Sequence, residues 1–300
     1  MQNILITGAN GFIGSKLLNH ISSVIDKKSK IILLSSTASQ EYEYVLHKDY
    51  QFTADDFSDK GFDCIDIVIH AGAFTPKSSA EANLYNENFE NVIRTNYLLN
   101  NLPNIPGKVI FLSTLDVYIK TTAIIDENTL LSPSGFYGSC KLFCEKMIEQ
   151  WGKNVNCKVE ILRLGHIYGS GEEAYKKLIP QAIRSILQGK NPIIFSEGTE
   201  KRSYLHIDDC VRAIWNATLL KEDAGPINIV SGKAYAIKDI IQKLIDISEK
   251  DLNIEVLNKP IIVWDILFNA EKMKRYLTNE QIDIAEGLKE EFYNFNENKN

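Results

Sequence analysis

The chain has 300 residues, 44% hydrophobic and 24% charged, a composition typical of globular proteins. Its 33 Lys and Arg against 39 Asp and Glu give a net charge of −6 with no basic run, which argues against nucleic-acid binding. The five cysteines form no CxxC pair and metal-ligand spacings are absent, so we expect no metal site. Apolar runs are too short to span a membrane and the first residues do not resemble a leader, so we expect a cytoplasmic protein.

Short apolar runs alternate with longer amphipathic segments in the first half of the chain. Continuous apolar strands separated by helices indicate a parallel sheet covered on both faces, so the pattern predicts an α/β, doubly wound (Rossmann) fold. The predicted strands cover 4–6, 31–34, 65–70, 109–112 and 159–162, and the predicted helices cover 12–25, 80–102 and 137–151.

The second half is less regular and is joined to the first without a flexible linker. Its predicted elements are helices over 176–188, 208–220, 237–247 and 282–292 and a strand at Ile227–Ile229, with Asp208 as a helix N-cap. We therefore predict a dinucleotide-binding domain over 1–165 and a smaller C-terminal α/β substrate-binding region over 166–300. The second region is packed on the first, and the chain returns to the Rossmann sheet near 200–230.

A glycine-rich turn follows the first strand and opens a helix. Gly8 suits a tight turn, Gly11 lets backbone N–H groups approach a pyrophosphate, and Gly14 lets helix and strand pack closely. The helix N-terminus adds a partial positive charge, so the turn predicts a dinucleotide site, against the alternative of a purely structural turn. No glycine–lysine pair is followed by Ser or Thr, which excludes a Walker loop.

The end of the second strand bears on the choice of dinucleotide. An NAD-selective site usually carries Asp or Glu there, whereas this chain has Ser35, Ser36 and Thr37. Hydroxyl groups can bond a 2′-phosphate, although no Arg lies close in sequence to neutralise it. The pattern favours NADP(H), with NAD(H) as the alternative.

Tyr137 and Lys141 stand four residues apart at the start of a predicted helix and therefore share one face. A free phenol titrates near 10, and a nearby ammonium together with a cationic nicotinamide would lower that pKa and permit acid–base work. Thr114 ends a predicted strand, at the edge where open parallel sheets bind ligands. These three residues are the predicted catalytic set.

Motifs along nearly the whole chain resemble those of the extended short-chain dehydrogenases/reductases, in the branch of nucleotide-sugar epimerases, dehydratases and reductases. The matching stretches include the glycine turn, Asp56-Phe57, His70-Ala71-Gly72-Ala73, Ser113-Thr114, Tyr137-x-x-x-Lys141, Leu162-Arg163-Leu164-Gly165-His166 and Arg202-Ser203-Tyr204-Leu205-His206. Each motif is loose alone, and their order makes the resemblance specific.

The resemblance implies a role for each matched residue. Tyr137 matches the catalytic acid/base, Lys141 its partner on the cofactor ribose, and Thr114 the residue that orients the substrate oxygen. The implied cofactor-binding residues are Gly8, Asn10, Gly11, Phe12, Ile13, Gly14, Ser35, Asp56, Phe57, Ala71, Gly72, Ala73, Asn91 and Lys141. Asn91 is expected mainly to support the architecture of the site. The implied substrate-binding residues are Thr114, His166, Lys177 and Arg202, the last on the diphosphate.

Departures from the family pattern bear on the reaction. Leu115-Asp116 stands where dehydratases carry an Asp-Glu acid–base pair, which disfavours dehydration. His166 resembles some 4-ketoreductases, although a structural histidine fits equally well, and Ser35 fits a reductase that takes up NADPH. The resemblance therefore favours a 4-ketoreductase of a nucleoside-diphosphate 4-keto-6-deoxy sugar over a 4-epimerase with bound NAD. A 4,6-dehydratase and a non-catalytic cofactor sensor rank lower, and a homodimer through helices 80–102 and 137–151 is expected.

Overall fold

The computed structural model describes residues 2–78, 80–257, 259 and 263–297. The strands are β1 (Asn3–Thr7), β2 (Lys30–Ser35), β3 (Glu43–Leu46), β4 (Ile67–His70), β5 (Lys108–Thr114), β6 (Lys158–Leu164), β7 (His166–Tyr168), β8 (Ile193–Ile194), β9 (Lys201–His206), β10 (Ile227–Ile229), β11 (Ala234–Ala236) and β12 (Glu255–Val256). The α-helices are α1 (Phe12–Val24), α2 (Ala54–Ser58), α3 (Tyr85–Asn100), α4 (Phe136–Val155), α5 (Leu178–Leu187), α6 (Ile207–Leu219), α7 (Ile237–Ser248), α8 (Glu271–Tyr276) and α9 (Ile284–Glu297).

Seven parallel strands form the central sheet, in the order β10-β6-β5-β4-β1-β2-β3. One apolar core, containing Leu17 and Ile214, packs α1 and α6 against one face, and a second, containing Leu98 and Ile148, packs α3 and α4 against the other. The sheet is thus doubly wound, as the apolar strands predict. Thr7 pairs with both Leu34 and His70, so β1, β2 and β4 end at one level, at the edge where ligands bind in such sheets.

The second half adds a smaller layer beside this edge. A three-stranded sheet in the order β11-β9-β7 and the pair β8–β12 lie with α5, α7 and α9 around a core of aliphatic and aromatic side chains, including Ile183, Ile240, Leu244, Leu288 and Phe292. β10, which comes after this layer has begun, pairs with β6 in the central sheet. The chain therefore passes between the two layers more than once.

Local differences from the sequence prediction have simple causes. The helix predicted over 80–102 is divided into a short 3-10 turn at Glu81–Asn83 and α3, because Leu84 takes an extended conformation. Asp208 is not the N-cap of α6: His206 holds that position, and its Nδ1 accepts from the Asp208 N–H at 3.3 Å. In the described part of the chain, no helix is both long and apolar enough to span a membrane.

Candidate active site

The turn between β1 and α1 has the shape its glycines predict. Gly8 adopts a φ of 73°, and a Cβ there would lie 2.6 Å from the Gly72 backbone, while a Cβ on Gly14 would overlap the carbonyl oxygen of Gly8. Gly11 is the N-cap of α1, and no side chain caps the helix. The first-turn N–H groups, including those of Phe12 and Ile13, thus remain available to an anion, a geometry that fits a dinucleotide pyrophosphate.

Three neutral polar side chains gather where β2 ends. Asn10 Nδ2 donates to Thr37 Oγ1 at 3.0 Å, and the Thr37 N–H donates to the Oγ of the buried Ser35 at 3.1 Å. This cluster has donors and acceptors for ribose hydroxyls and lacks a carboxylate. Among the described residues, no Lys or Arg side chain is hydrogen-bonded to Asn10, Ser35 or Thr37.

A chain of buried hydrogen bonds runs through His70, next to the turn that follows β4. Thr95 Oγ1 donates to Asn91 O at 2.7 Å and therefore accepts from His70 Nε2 at 3.0 Å, so Nε2 carries the proton. His70 Nδ1 then accepts from the Thr7 hydroxyl at 2.8 Å, and Thr7 Oγ1 accepts from the Gly72 N–H, also at 2.8 Å. Burial, and then Lys141, lowers the pKa of His70 to about 3, so the imidazole is a neutral structural link.

Asn91 holds the segment that contains Ala71, Gly72 and Ala73. Its Oδ1 accepts from the Phe74 N–H at 2.7 Å and its Nδ2 donates to Phe74 O at 3.0 Å. Both ends of the amide thus bond to backbone, and Asn91 supports the loop.

Asp56 and Phe57 lie at the beginning of α2. One Asp56 carboxylate oxygen accepts from the Thr53 N–H at 2.6 Å in a capping box. The Phe57 side chain is fully buried in the core between the sheet and α3 and α4, and its carbonyl oxygen accepts from the Lys60 and Phe62 N–H groups, both at 3.0 Å.

The predicted catalytic side chains converge where β5 ends and α4 begins. The Tyr137 hydroxyl lies close to the side chains of Thr75 and Thr114, and burial followed by the Asp116 carboxylate raises the pKa of this phenol above its usual value. In the chain itself burial therefore favours the protonated phenol, whereas the lowered pKa expected from the sequence depends also on a cationic nicotinamide. Thr75 was missed from the sequence, because it lies five residues beyond β4 and reaches Tyr137 only through the fold.

Lys141 lies one helical turn beyond Tyr137 and is buried. Its Nζ donates to Leu112 O at 2.5 Å and sits 4.4 Å from the centre of the Phe111 ring. Burial lowers the pKa of Lys141 to about 8. The ammonium is thus fixed to β5, and among the described residues no hydrogen bond joins it to Tyr137.

The smaller layer contains a cavity of about 250 Å³, whose lining does not include Thr114, Tyr137 or Lys141. It brings together His166, Lys177 and Arg202, which the sequence predicts, with Glu172, Tyr204 and Ile237, which it does not. Arg202 Nη1 donates to Trp264 O at 2.7 Å, which orients the guanidinium. Desolvation, and then Arg202 and Lys177, lowers the pKa of His166 to about 4, so the imidazole is neutral and the two cations dominate the cavity.

Comparison with known proteins places this arrangement among related chains. A sequence model described as the NAD dependent epimerase/dehydratase family matches residues 4–230. A dTDP-D-glucose 4,6-dehydratase from Dictyostelium discoideum is 30% identical over 281 residues, which are 83% of this chain and 62% of that protein. A putative UDP-glucose 4-epimerase from Methanocaldococcus jannaschii is 26% identical over 303 residues, 95% and 96% of the two chains.

Solved structures share the fold over its full length. The crystal structure of UDP-glucuronic acid 4-epimerase from Bacillus cereus in complex with NAD superposes with a TM-score of 0.85, at 24% identity and with 100% of both chains covered. The chain spans less than two thirds of the dehydratase and nearly the whole of both epimerases.

Proposed function

Because the chain belongs to the NAD-dependent epimerase/dehydratase family, we propose that it is a nucleotide-sugar 4-epimerase that works with bound NAD. The observation that carries the proposal is the placement of Tyr137 close to Thr114 at the end of β5, together with a cavity whose lining includes the cations Lys177 and Arg202. Leu115 supports the choice against a dehydratase, because an apolar side chain does not protonate a leaving hydroxyl. The full-length similarity to 4-epimerases supports it further and outweighs the ketoreductase expected from the sequence.

Each part of the proposed site has a separate role in the reaction. Bound NAD supplies a hydride acceptor, held in our proposal by the glycine turn, the Ser35 cluster and the 71–73 segment. Tyr137 exchanges a proton with the oxygen on C4 of the sugar, and Thr114 orients that oxygen through its hydroxyl. Arg202 and Lys177 bind the diphosphate, and the neutral His166 lies among them as a hydrogen-bonding group.

The proposal is tested by measuring conversion of a nucleotide sugar to its C4 epimer without net oxidation or reduction of the cofactor. Purified protein with NAD is incubated with UDP-glucose, UDP-glucuronic acid or UDP-N-acetylglucosamine, and the C4 epimer is measured by NMR while absorbance at 340 nm is followed. We expect epimer formation with constant absorbance, lost in Tyr137→Phe and kept in Tyr293→Phe, a matched change at an exposed tyrosine. Equal turnover in both variants contradicts the assignment of Tyr137.

A second candidate is the 4-ketoreductase with NADPH. The carboxylate-free cluster of Asn10, Ser35 and Thr37 favours it, because no negative charge there repels a 2′-phosphate. Stoichiometric oxidation of NADPH by a nucleoside-diphosphate 4-keto-6-deoxy sugar supports this candidate and excludes the epimerase.

We also propose a homodimer through α3 and α4. Their surface exposes aromatic and aliphatic side chains, namely Tyr85, Phe89, Ile93, Phe136 and Phe143. A contiguous apolar surface of this kind is typical of an interface between subunits.

A further inference from the structure

Two buried carboxyl groups lie together, and one of them, Glu172, lines the cavity. Glu172 belongs to the loop between β7 and α5, and Glu291 belongs to α9; each side chain is 1% exposed. Their carboxyls are within hydrogen-bonding reach of each other, yet neither Glu291 oxygen accepts from an N–H or O–H donor among the described residues. Two carboxylates repel and cannot bond each other, so the contact requires one shared proton.

Lys177 connects this pair to the cavity. Its Nζ lies 3.4 Å from Glu172 Oε2, and 42% of its side chain is exposed, while Glu172 is not. The aromatic rings of Tyr175 and Phe12 face the ammonium, with centres 4.5 and 5.8 Å from Nζ. Lys177 is thus held between a buried carboxyl on one side and the cavity on the other.

The charge of Glu172 decides how much of the Lys177 charge reaches the cavity. An ionised Glu172 neutralises the ammonium, whereas a protonated Glu172 leaves it to attract an anion. Burial, partly opposed by Lys177, raises the pKa of Glu172 to about 7, and burial together with Glu172 raises that of Glu291 well above its usual value. The change of charge on Glu172 therefore falls in the neutral pH range.

On the basis of the proposed function, we propose that Glu172 and Glu291 are positioning residues that share a proton and couple the binding of the substrate diphosphate at Lys177 to proton uptake. The anion draws Lys177 away from Glu172, and Glu172 takes a proton from solvent in exchange. No covalent bond changes.

Other titratable groups face the pair from each packed element. They are Glu173, Tyr175 and Lys177 on the loop, Tyr168 on β7, Tyr204 on β9 and Arg184 on α5, which donates to the Glu173 and Tyr175 carbonyls. Burial raises the pKa values of the three phenols, so they stay neutral near pH 7. His206, 3.9 Å from Glu290, lies at the outer side of the same group.

The first arm of the test measures the shared proton without any ligand. Infrared difference spectra of wild type minus Glu172→Gln are recorded from pH 5.5 to 8.5. We expect a protonated-carboxyl band at pH 6 in the wild type, which loses the contribution of Glu172 near pH 7, whereas the variant keeps at most the Glu291 band and shows no change near pH 7. No such band at pH 6 overturns the shared proton, whatever the protein binds.

The second arm measures coupling by calorimetric titration with UDP-glucose, whose diphosphate does not titrate in this range. If only protein with a protonated Glu172 binds, the dissociation constant rises about tenfold between pH 6 and pH 8. Proton uptake on binding near pH 7 is measured by repeating the titration in buffers of different ionisation enthalpy. Glu172→Gln abolishes both effects and keeps the tight binding, and Lys177→Met weakens binding at every pH.

Glu290→Gln, one residue from Glu291 and partly exposed, is the matched control and retains the wild-type pH profile. A wild-type dissociation constant that does not change with pH, or the same pH dependence in Glu172→Gln, overturns the coupling. Failure of every nucleotide sugar to bind at any pH refutes the proposed function instead, and the infrared arm still decides whether the pair shares a proton.

Discussion

Arg163 joins β6 to the helix that carries Tyr137 and Lys141. Its Nε donates to Glu145 Oε1 at 3.0 Å and its Nη2 to Oε2 at 2.8 Å, with the two side chains 2% and 0% exposed. Arg163→Met keeps the length of the side chain but leaves the Glu145 carboxylate buried, with the Ser113 hydroxyl as its remaining partner. Removing one member of a buried ion pair costs about 3–5 kcal/mol of unfolding free energy, because the other charge stays uncompensated.

This loss is measurable by urea denaturation and by calorimetry. An unfolding entropy of about 2.1 cal/mol/K per residue over 300 residues converts 4 kcal/mol into a fall in Tm of about 6 °C. The control lies on the same helix: Lys146 and Glu149 form an exposed pair at 2.9 Å, and Lys146→Met is expected to cost at most about 1 kcal/mol. Equal losses in the two variants refute the assignment of a structural role to the buried pair.

Three further variants test other parts of the structure. Gly14→Ala places a Cβ into the Gly8 carbonyl oxygen, so we expect the NAD dissociation constant, measured by fluorescence titration, to rise at least tenfold while the circular dichroism spectrum stays native. Phe143→Asp puts a charge on a side chain of α4 that is 59% exposed, and we expect this variant to be a monomer in analytical ultracentrifugation. The control, Leu130→Asp, changes an exposed side chain outside α3 and α4 and should leave the mass of the dimer unchanged. The pKa of Lys141 is lowered to about 8, so its charge is present below pH 8 and lost above it. We therefore expect kcat/KM to fall above about pH 8. A value of kcat/KM that stays constant from pH 8 to pH 10 contradicts a role for this charge.

The central sheet could be predicted because its strands are buried on both faces. Runs such as Ile4-Leu5-Ile6 are continuous and apolar, so their position does not depend on knowing what they pack against. β3 was missed because it is the edge strand and only Val45 in it is buried, which leaves no apolar run to read. The two-residue strands β8 and β12 are defined by pairing alone.

Some residues of the candidate site could likewise be predicted from the sequence, and others could not. Tyr137, Lys141 and the glycine turn could be predicted, since each lies within a few residues of a motif and of an element boundary. Thr75 and Glu291 could not, because they reach the site through long-range packing that no local pattern encodes. The burial that raises the pKa of Tyr137 in the chain itself could not be predicted for a related reason: it comes from the folded surroundings, which the spacing of Tyr and Lys does not reveal.

Phe12 links the two halves of the proposed site. It is the first residue of α1, next to the N–H groups offered to a pyrophosphate, and its ring lies 6.0 Å from that of Tyr175. A Cβ on Gly171 would approach the same ring to 3.1 Å, so the loop that carries Glu172 and Lys177 packs directly on the turn. The two proposed anion sites are therefore joined by direct packing, and the cavity of a chain with a net charge of −6 still has two cations, Lys177 and Arg202, in its lining.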